Sequence, residues 1–307
     1  MIEAWGPACA FFSSVTWACG AGGYSKLARE NSAFAVNIAR ATVSLPLFLA
    51  AVFLTTGSWQ AGLALFGAVH SQHVVWLFLS MIGSYAFGDI MFLLATREIG
   101  LSVSLTIASC YPLAMAFWGF AFQGEKLSHA QIFGLLLTVG GMIAAILHAP
   151  GAEIQGRAET RSRGLVFAVI AAACWGLNSL AVANGGHNIS MAVANSIRMV
   201  IALILCAIFG KVLSPRLFPQ PNGTKLLLSR VDFKKWLWLF GLEGFGGSCF
   251  FMYGLSHTSL AVGSALSSVA PVLSVPVAWA LRLEKFSLAR TLGVLSVAIG
   301  LTLLIAG

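Results

Sequence analysis

A chain of 307 residues in which 58% are hydrophobic and only 9% charged has too little polar surface to cover a water-soluble globule, whose composition is roughly 45–50% apolar and about 25% charged. The apolar residues come in long blocks, the mark of membrane-spanning helices, so the composition predicts an all-α integral membrane protein set in the lipid bilayer. A net charge of +8 would suit nucleic acid, but basic loops beside membrane spans account for it, and no nucleic-acid partner is expected.

A bilayer core of about 30 Å asks for about 20 apolar residues per helix. On that ruler the chain holds ten transmembrane helices: 7–25, 33–56, 74–96, 101–122, 129–148, 164–184, 191–210, 235–254, 260–281 and 288–306. The start, "MIEAWGPACAFF", has no basic stretch ahead of its apolar run and reads as a first span, not a cleaved signal peptide. Most connections are short, as at "REIG" (97–100). Two are longer, "APGAEIQGRAETRSR" (149–163) and the Pro-rich 211–234, and both read as solvated loops. The first separates a five-helix unit over 1–150 from a second over 164–307, with a cytoplasmic linker over 151–163.

With ten spans, alternate loops fall on opposite sides. One side then carries 15 of the 18 Lys and Arg residues, the other only Lys126, and Arg40 and Arg198 lie inside spans. Basic loops stay in the cytoplasm, which places both termini outside. The tripeptides "NGT" (222–224) and "NIS" (188–190) fit the glycosylation pattern, a short pattern of little weight.

The chain also repeats itself. "GEKLS" (124–128) returns as "LEKFS" (283–287), 159 positions later, and Phe92, Pro112, Lys126, Ser128, Gly134 and Gly141 recur at the same offset as Phe251, Pro271, Lys285, Ser287, Gly293 and Gly300. Nearer the start the offset is 158, pairing Trp17 with Trp175, Asn37 with Asn195 and Arg40 with Arg198. Two copies of a unit with an odd number of spans must enter the membrane from opposite sides. That predicts inverted-topology repeats, an arrangement frequent in secondary transporters, with the substrate site near the midplane between them.

"GEKLSHAQIFGLLLTVGGMIAAIL" and "LEKFSLARTLGVLSVAIGLTLLI" resemble the closing segment of the EamA domain. "ACWGLNSLAVA" (173–183) resembles its opening, and the helices of Arg40 and Arg198 its second span. The resemblance covers nearly the whole chain in two tandem copies. It implies a ten-helix member of the drug/metabolite transporter superfamily, similar to bacterial plasma-membrane exporters of amino acids and other metabolites, with a central cavity for a small-molecule substrate. Members of that family are often drawn with both termini in the cytoplasm, the reverse of what the basic residues predict here.

Charges inside a span are costly and mark candidate sites. Arg40 and Asp89 each lie seven residues from the cytoplasmic end of adjacent spans, about 10 Å deep at 1.5 Å per residue. They can form a structural ion pair or a substrate or proton site. Arg198 occupies the repeat-equivalent place, and its best acidic partner is Glu243, about one turn deeper. That mismatch leaves Glu243 poorly neutralised and suited to proton coupling or to binding a substrate amine, with a second ion pair as the alternative.

Pro112 and Pro271, near the middles of the fourth and ninth spans, each free the carbonyl four residues earlier. Such breaks are tolerated where they line a cavity, which makes the neighbouring Ser109, Tyr111 and Ser268 candidate substrate contacts; a packing kink is the alternative. Trp17, Trp175 and Asn178 sit mid-span, away from the interfacial belts where tryptophans collect, and either face a polar cavity or pack in the core. Pro46 reads as a kink. The glycine pairs 134/141 and 293/300, two turns apart, read as close helix packing. "GLEGFGG" (241–247) lies within a span and is not a phosphate loop.

Six cysteines without metal spacing read as small packing residues, and no cofactor or metal is expected. The six histidines fall at span ends or in loops, without an HExxH-like motif, which argues against a membrane-embedded enzyme. The sequence thus predicts export of an amino acid or similar amphiphile by alternating access, with protons as the candidate coupling ion. A non-transporting accessory membrane protein is the alternative, and monomer and homodimer both stay open.

Overall fold

The computed structural model describes residues 5–124, 126–147, 158–212, 225–273 and 288–306. Glu125, the second copy of its motif at 283–287, linker residues 149–157 and the "NGT" tripeptide lie outside the described residues.

All regular structure among the described residues is helical. In chain order it comprises α1 (Trp5–Glu30), α2 (Ala33–Thr56), α3 (Trp59–Gly67), α4 (Ser71–Met81), π1 (Ile82–Ala86), α5 (Gly88–Ile99), α6 (Leu101–Ala108), α7 (Tyr111–Gln123) and α8 (His129–Leu147). The second half follows with α9 (Ala158–Gly186), α10 (Met191–Val212), α11 (Arg230–Leu239), π2 (Phe240–Gly247), α12 (Ser248–Ser256), α13 (Leu260–Ser267) and α14 (Leu288–Ala306). Five of the resulting rods are long and apolar enough to cross a membrane: Ala33–Thr56, Ser71–Ile99, Val103–Gln123, Thr160–Gly186 and Met191–Val212. Shorter apolar helices include His129–Ala144 and Thr291–Leu303.

The surface agrees. Phe117, Phe120, Phe133, Val166, Val169, Ile204 and Leu295 are all more than half exposed, an apolar coat that a soluble monomer does not carry but a lipid-facing surface requires. The chain is an integral membrane protein.

Two local details depart from the sequence expectation. Helix α9 begins at Ala158, so the last residues of the predicted linker are helical. Helix α3, started by Ser58, whose Oγ accepts from the Ala61 N–H at 3.1 Å, occupies a stretch read as a connection. The "REIG" turn is as short as expected. Gly100, at φ +83°, lets α6 follow α5 without an intervening loop, a conformation that favours glycine.

The two halves break their helices at matching places. Helix α6 ends at Ala108 and α13 at Ser267, 159 residues later, each just ahead of its proline. Pro112 stands in the first turn of the new helix α7, where a missing N–H costs little, so the site is a full helix break and not only a kink. Each half also carries a π-helical turn at a corresponding place, π1 and π2. Such turns leave backbone carbonyls outside the regular ladder and recur at functional sites.

Helices α8 and α14 pack at their glycines. A Cβ on Gly141 would stand 2.6 Å from the Gly293 carbonyl oxygen, and one on Gly300 would stand 2.5 Å from that of Gly134. The contact is reciprocal between repeat-equivalent residues and runs antiparallel. Elsewhere the halves interlock: α2 lies against α10 and π2, and α10 against α4 and π1. One apolar cluster, including Tyr24, Phe34, Phe92, Trp175 and Phe240, spans both halves.

Candidate functional site

Between the halves lies a cavity of about 110 Å³, room for several waters or the body of a small organic molecule. Trp17, Arg40, Asp89, Ser109, Tyr111, Trp175, Asn178, Arg198, Glu243 and Ser268 all line it. The tertiary structure thus gathers in one place residues singled out separately along 252 positions of sequence. Both helix breaks face it, one through Ser109 and Tyr111 and the other through Ser267 and Ser268, while Pro112 and Pro271 are not among its lining residues.

Arg40 is the centre of the network. Its Nη1 donates to Asp89 Oδ2 at 2.6 Å and to Asn37 Oδ1 at 3.0 Å. Its Nη2 donates to Glu243 Oε2 at 2.9 Å and Oε1 at 3.1 Å. The guanidinium carbon sits 4.5 Å from the ring centre of Tyr24 and 4.3 Å from that of Tyr85, a distance at which aromatic faces attract a cation. The Tyr24 hydroxyl donates to Glu243 Oε2 at 2.6 Å, and the Trp175 indole N–H to Asp89 Oδ1 at 2.9 Å. Arg40, Asp89 and Glu243 are all buried. Pairing and hydrogen bonding offset the cost of taking these three charges from water.

The pairing of Glu243 with Arg198 expected from the sequence is therefore corrected: Glu243 pairs with Arg40, across the repeats. The reason is packing. Helix α2 of the first half lies against π2 of the second, so Glu243 meets the arginine of the other half. With Tyr24 and both Arg40 contacts on its oxygens, Glu243 is not poorly neutralised. That removes the ground on which it was expected to carry protons or to bind an amine.

Arg198 is held differently. Its Nε donates to Ser80 Oγ at 3.1 Å, Nη1 to Asn195 Oδ1 at 2.8 Å and Nη2 to Asn178 Oδ1 at 3.3 Å. These three partners are all neutral, and among the described residues no carboxylate lies within 4.0 Å of it. Shifting Asp89 by 159 positions gives Ser248, and shifting Ser84 gives Glu243. Each half thus supplies one buried carboxylate, five residues apart in register, and both reach Arg40.

Sequence reasoning missed Tyr24, Tyr85 and the working role of the two asparagines. Asn37 grips Arg40 with its carbonyl while its amide donates to the Tyr85 carbonyl of π1 at 2.7 Å. Asn195 does the same in the second half, gripping Arg198 and donating to the Ser248 carbonyl at 3.4 Å. The signal was present: an Asn three residues before an Arg, one face of one helix, in both copies.

The aromatic wall completes the cavity. Trp17 and Trp175, equivalent in the repeats, meet edge to face at 5.5 Å, and Tyr111 lies 6.2 Å from Trp175. A second, more polar cavity of about 510 Å³ lies at one end of the bundle, lined by Gln72, His73, Gln123, Asn184, His187 and Thr258 among others.

No curated protein sequence matches the chain. One solved structure, described only as the crystal structure of a protein, is similar with a TM-score of 0.70 at 17% identity, covering 98% of this chain and 96% of that one; the likeness is one of fold. The EamA-like transporter family matches residues 4–147 and again 162–306. Two consecutive matches that take in nearly the whole chain, meeting at a polar cavity between them, settle the family: the chain belongs to the EamA-like transporters.

Proposed function

We propose that the chain is a secondary transporter of ten transmembrane helices in two inverted five-helix repeats. It exports a small amphipathic metabolite, an amino acid or similar compound, through the central cavity by alternating access. The observation that carries this reading is the cavity itself, lined by charged, hydroxyl and aromatic side chains and built from repeat-equivalent groups of both halves. The reciprocal, antiparallel contact of Gly141 with Gly293 and of Gly300 with Gly134 supports the inverted relation.

The larger polar cavity serves as the vestibule of an outward-open state. At the opposite end, Gly23 packs against Trp236 and Leu239, Tyr24 stacks on Phe240, and Arg97 donates to the carbonyls of Ala28 and Asn31. That end carries the basic residues and faces the cytoplasm of a bacterial cell, with both termini outside.

Flux of labelled amino acids and nucleobases in proteoliposomes tests the proposal. Saturable flux that is accelerated by unlabelled solute on the far side, and depressed in Trp175→Ala, supports alternating access. Folded protein that moves none of them, together with loss of a partner complex on deletion, points to the accessory role. Imposing a pH gradient tests proton coupling. Acceleration that disappears in Glu243→Gln assigns the proton to that carboxylate through opening of its pair with Arg40.

A further inference from the structure

The cavity holds two repeat-equivalent arginines with opposite circumstances. Arg40 has both carboxylates. Arg198 is 3% exposed, lines the same cavity, and is held only by Ser80, Asn195 and Asn178. A guanidinium offers five N–H groups. Three are engaged, which leaves one on each terminal nitrogen to donate to an incoming anion. The same cavity is lined by Trp17, Trp175 and Tyr111, an aromatic wall apolar enough to take the body of a small molecule.

We propose that Arg198 is the anion-binding group of the substrate site, and that the substrate is a small organic carboxylate whose acid group docks on Arg198 and whose apolar body lies against Trp17, Trp175 and Tyr111. The inference rests on the transport reading above and narrows its substrate class. A carboxylate is preferred to an amine because Asp89 and Glu243 are already committed to Arg40. The repeat itself supplies the control. In the first half Asp89 reaches the Nη1 of Arg40 beside Asn37. Its equivalent, Ser248, lies beside Asn195, whose carbonyl holds the Nη1 of Arg198. Ser248→Asp therefore gives Arg198 an internal carboxylate and closes the site to an external one, while leaving the arginine in place.

The test uses the full-length protein in detergent. Acetate, butyrate and 3-phenylpropionate serve as carboxylates, and 3-phenylpropionamide and 2-phenylethylamine as isosteres. Thermal unfolding and quenching of tryptophan fluorescence are the readouts. The expected result is protection by 3-phenylpropionate and none by the amide or the amine. Apparent affinity should fall roughly tenfold to a hundredfold in Arg198→Gln. Arg198→Lys should retain a weaker response, and Ser248→Asp, folded through its own pair, should lose it. Equal protection by the amide or the amine overturns the inference, as does a carboxylate response that survives Ser248→Asp, or folded wild-type protein that answers to none of the carboxylates. Flux separates this from the broader reading. Arg198-dependent binding of labelled 3-phenylpropionate without flux upholds the site and sinks transport, whereas flux of the amine or the amide without a carboxylate response sinks the site and upholds transport.

Discussion

Glu243 of the second repeat closes on Arg40 of the first, with both carboxylate oxygens within 3.1 Å of Nη2. Asp89, on Nη1, completes a buried cluster of two acids on one base. Removing the base strands two charges, whereas removing Arg198 leaves only neutral groups without a donor. Arg40→Met is expected to lose about 3–5 kcal/mol, and Arg198→Met about 1–3 kcal/mol. Unfolding in detergent measures both. Equal losses would mean that Arg198 has a carboxylate of its own.

The indole of Trp175 joins the aromatic wall to this cluster by its bond to Asp89. Trp175→Phe keeps a ring but removes the donor, and a hydrogen bond to a charged group contributes about 1.5–3 kcal/mol. A loss of that size, with a lower rate of flux, is the expected outcome. A fully stable variant would show that Asp89 is satisfied by Arg40 alone.

Gly141 and Gly300 occupy equivalent close contacts, so Gly141→Ala and Gly300→Ala should be similarly harmful. Each forces a methyl onto a carbonyl oxygen, at a cost of about 1–3 kcal/mol. Gly140, one residue away, faces open space, with no neighbouring atom within 4 Å of where a methyl group would stand. Gly140→Ala should be neutral or stabilising by up to about 1 kcal/mol. Melting temperatures of the three variants decide the matter; a harmless Gly141→Ala would remove the close approach of α8 and α14.

Placement of the basic residues predicts that a reporter fused after Gly307 lies outside the cell. A pair of fusions, one active only in the cytoplasm and one only outside it, reads the orientation directly. A cytoplasmic signal would reverse the proposed direction of the vestibule without changing the cavity.

The sequence by itself determined the class, the repeat and the positions of the helix breaks. Apolar length and proline act locally: a run of about 20 apolar residues suits a bilayer whatever its neighbours, and Pro112, whose ring fixes its backbone and lacks an N–H, suits the first turn of a new helix. Depth along a helix was legible too, and it placed Arg40 and Asp89 at one level, where the structure joins them. Tertiary structure alone decided which partner stands at that level. Spacing along the chain gives height but not which helix faces which, and α2 packs on π2 of the other half. That contact hands Glu243 to Arg40, brings Tyr24 and Tyr85 onto the guanidinium, and leaves Arg198 facing the cavity with neutral partners. The π-turns were equally hidden, because a slipped backbone ladder is stable only where a neighbour satisfies the carbonyls it frees. Asn37 does so for π1, from a different helix.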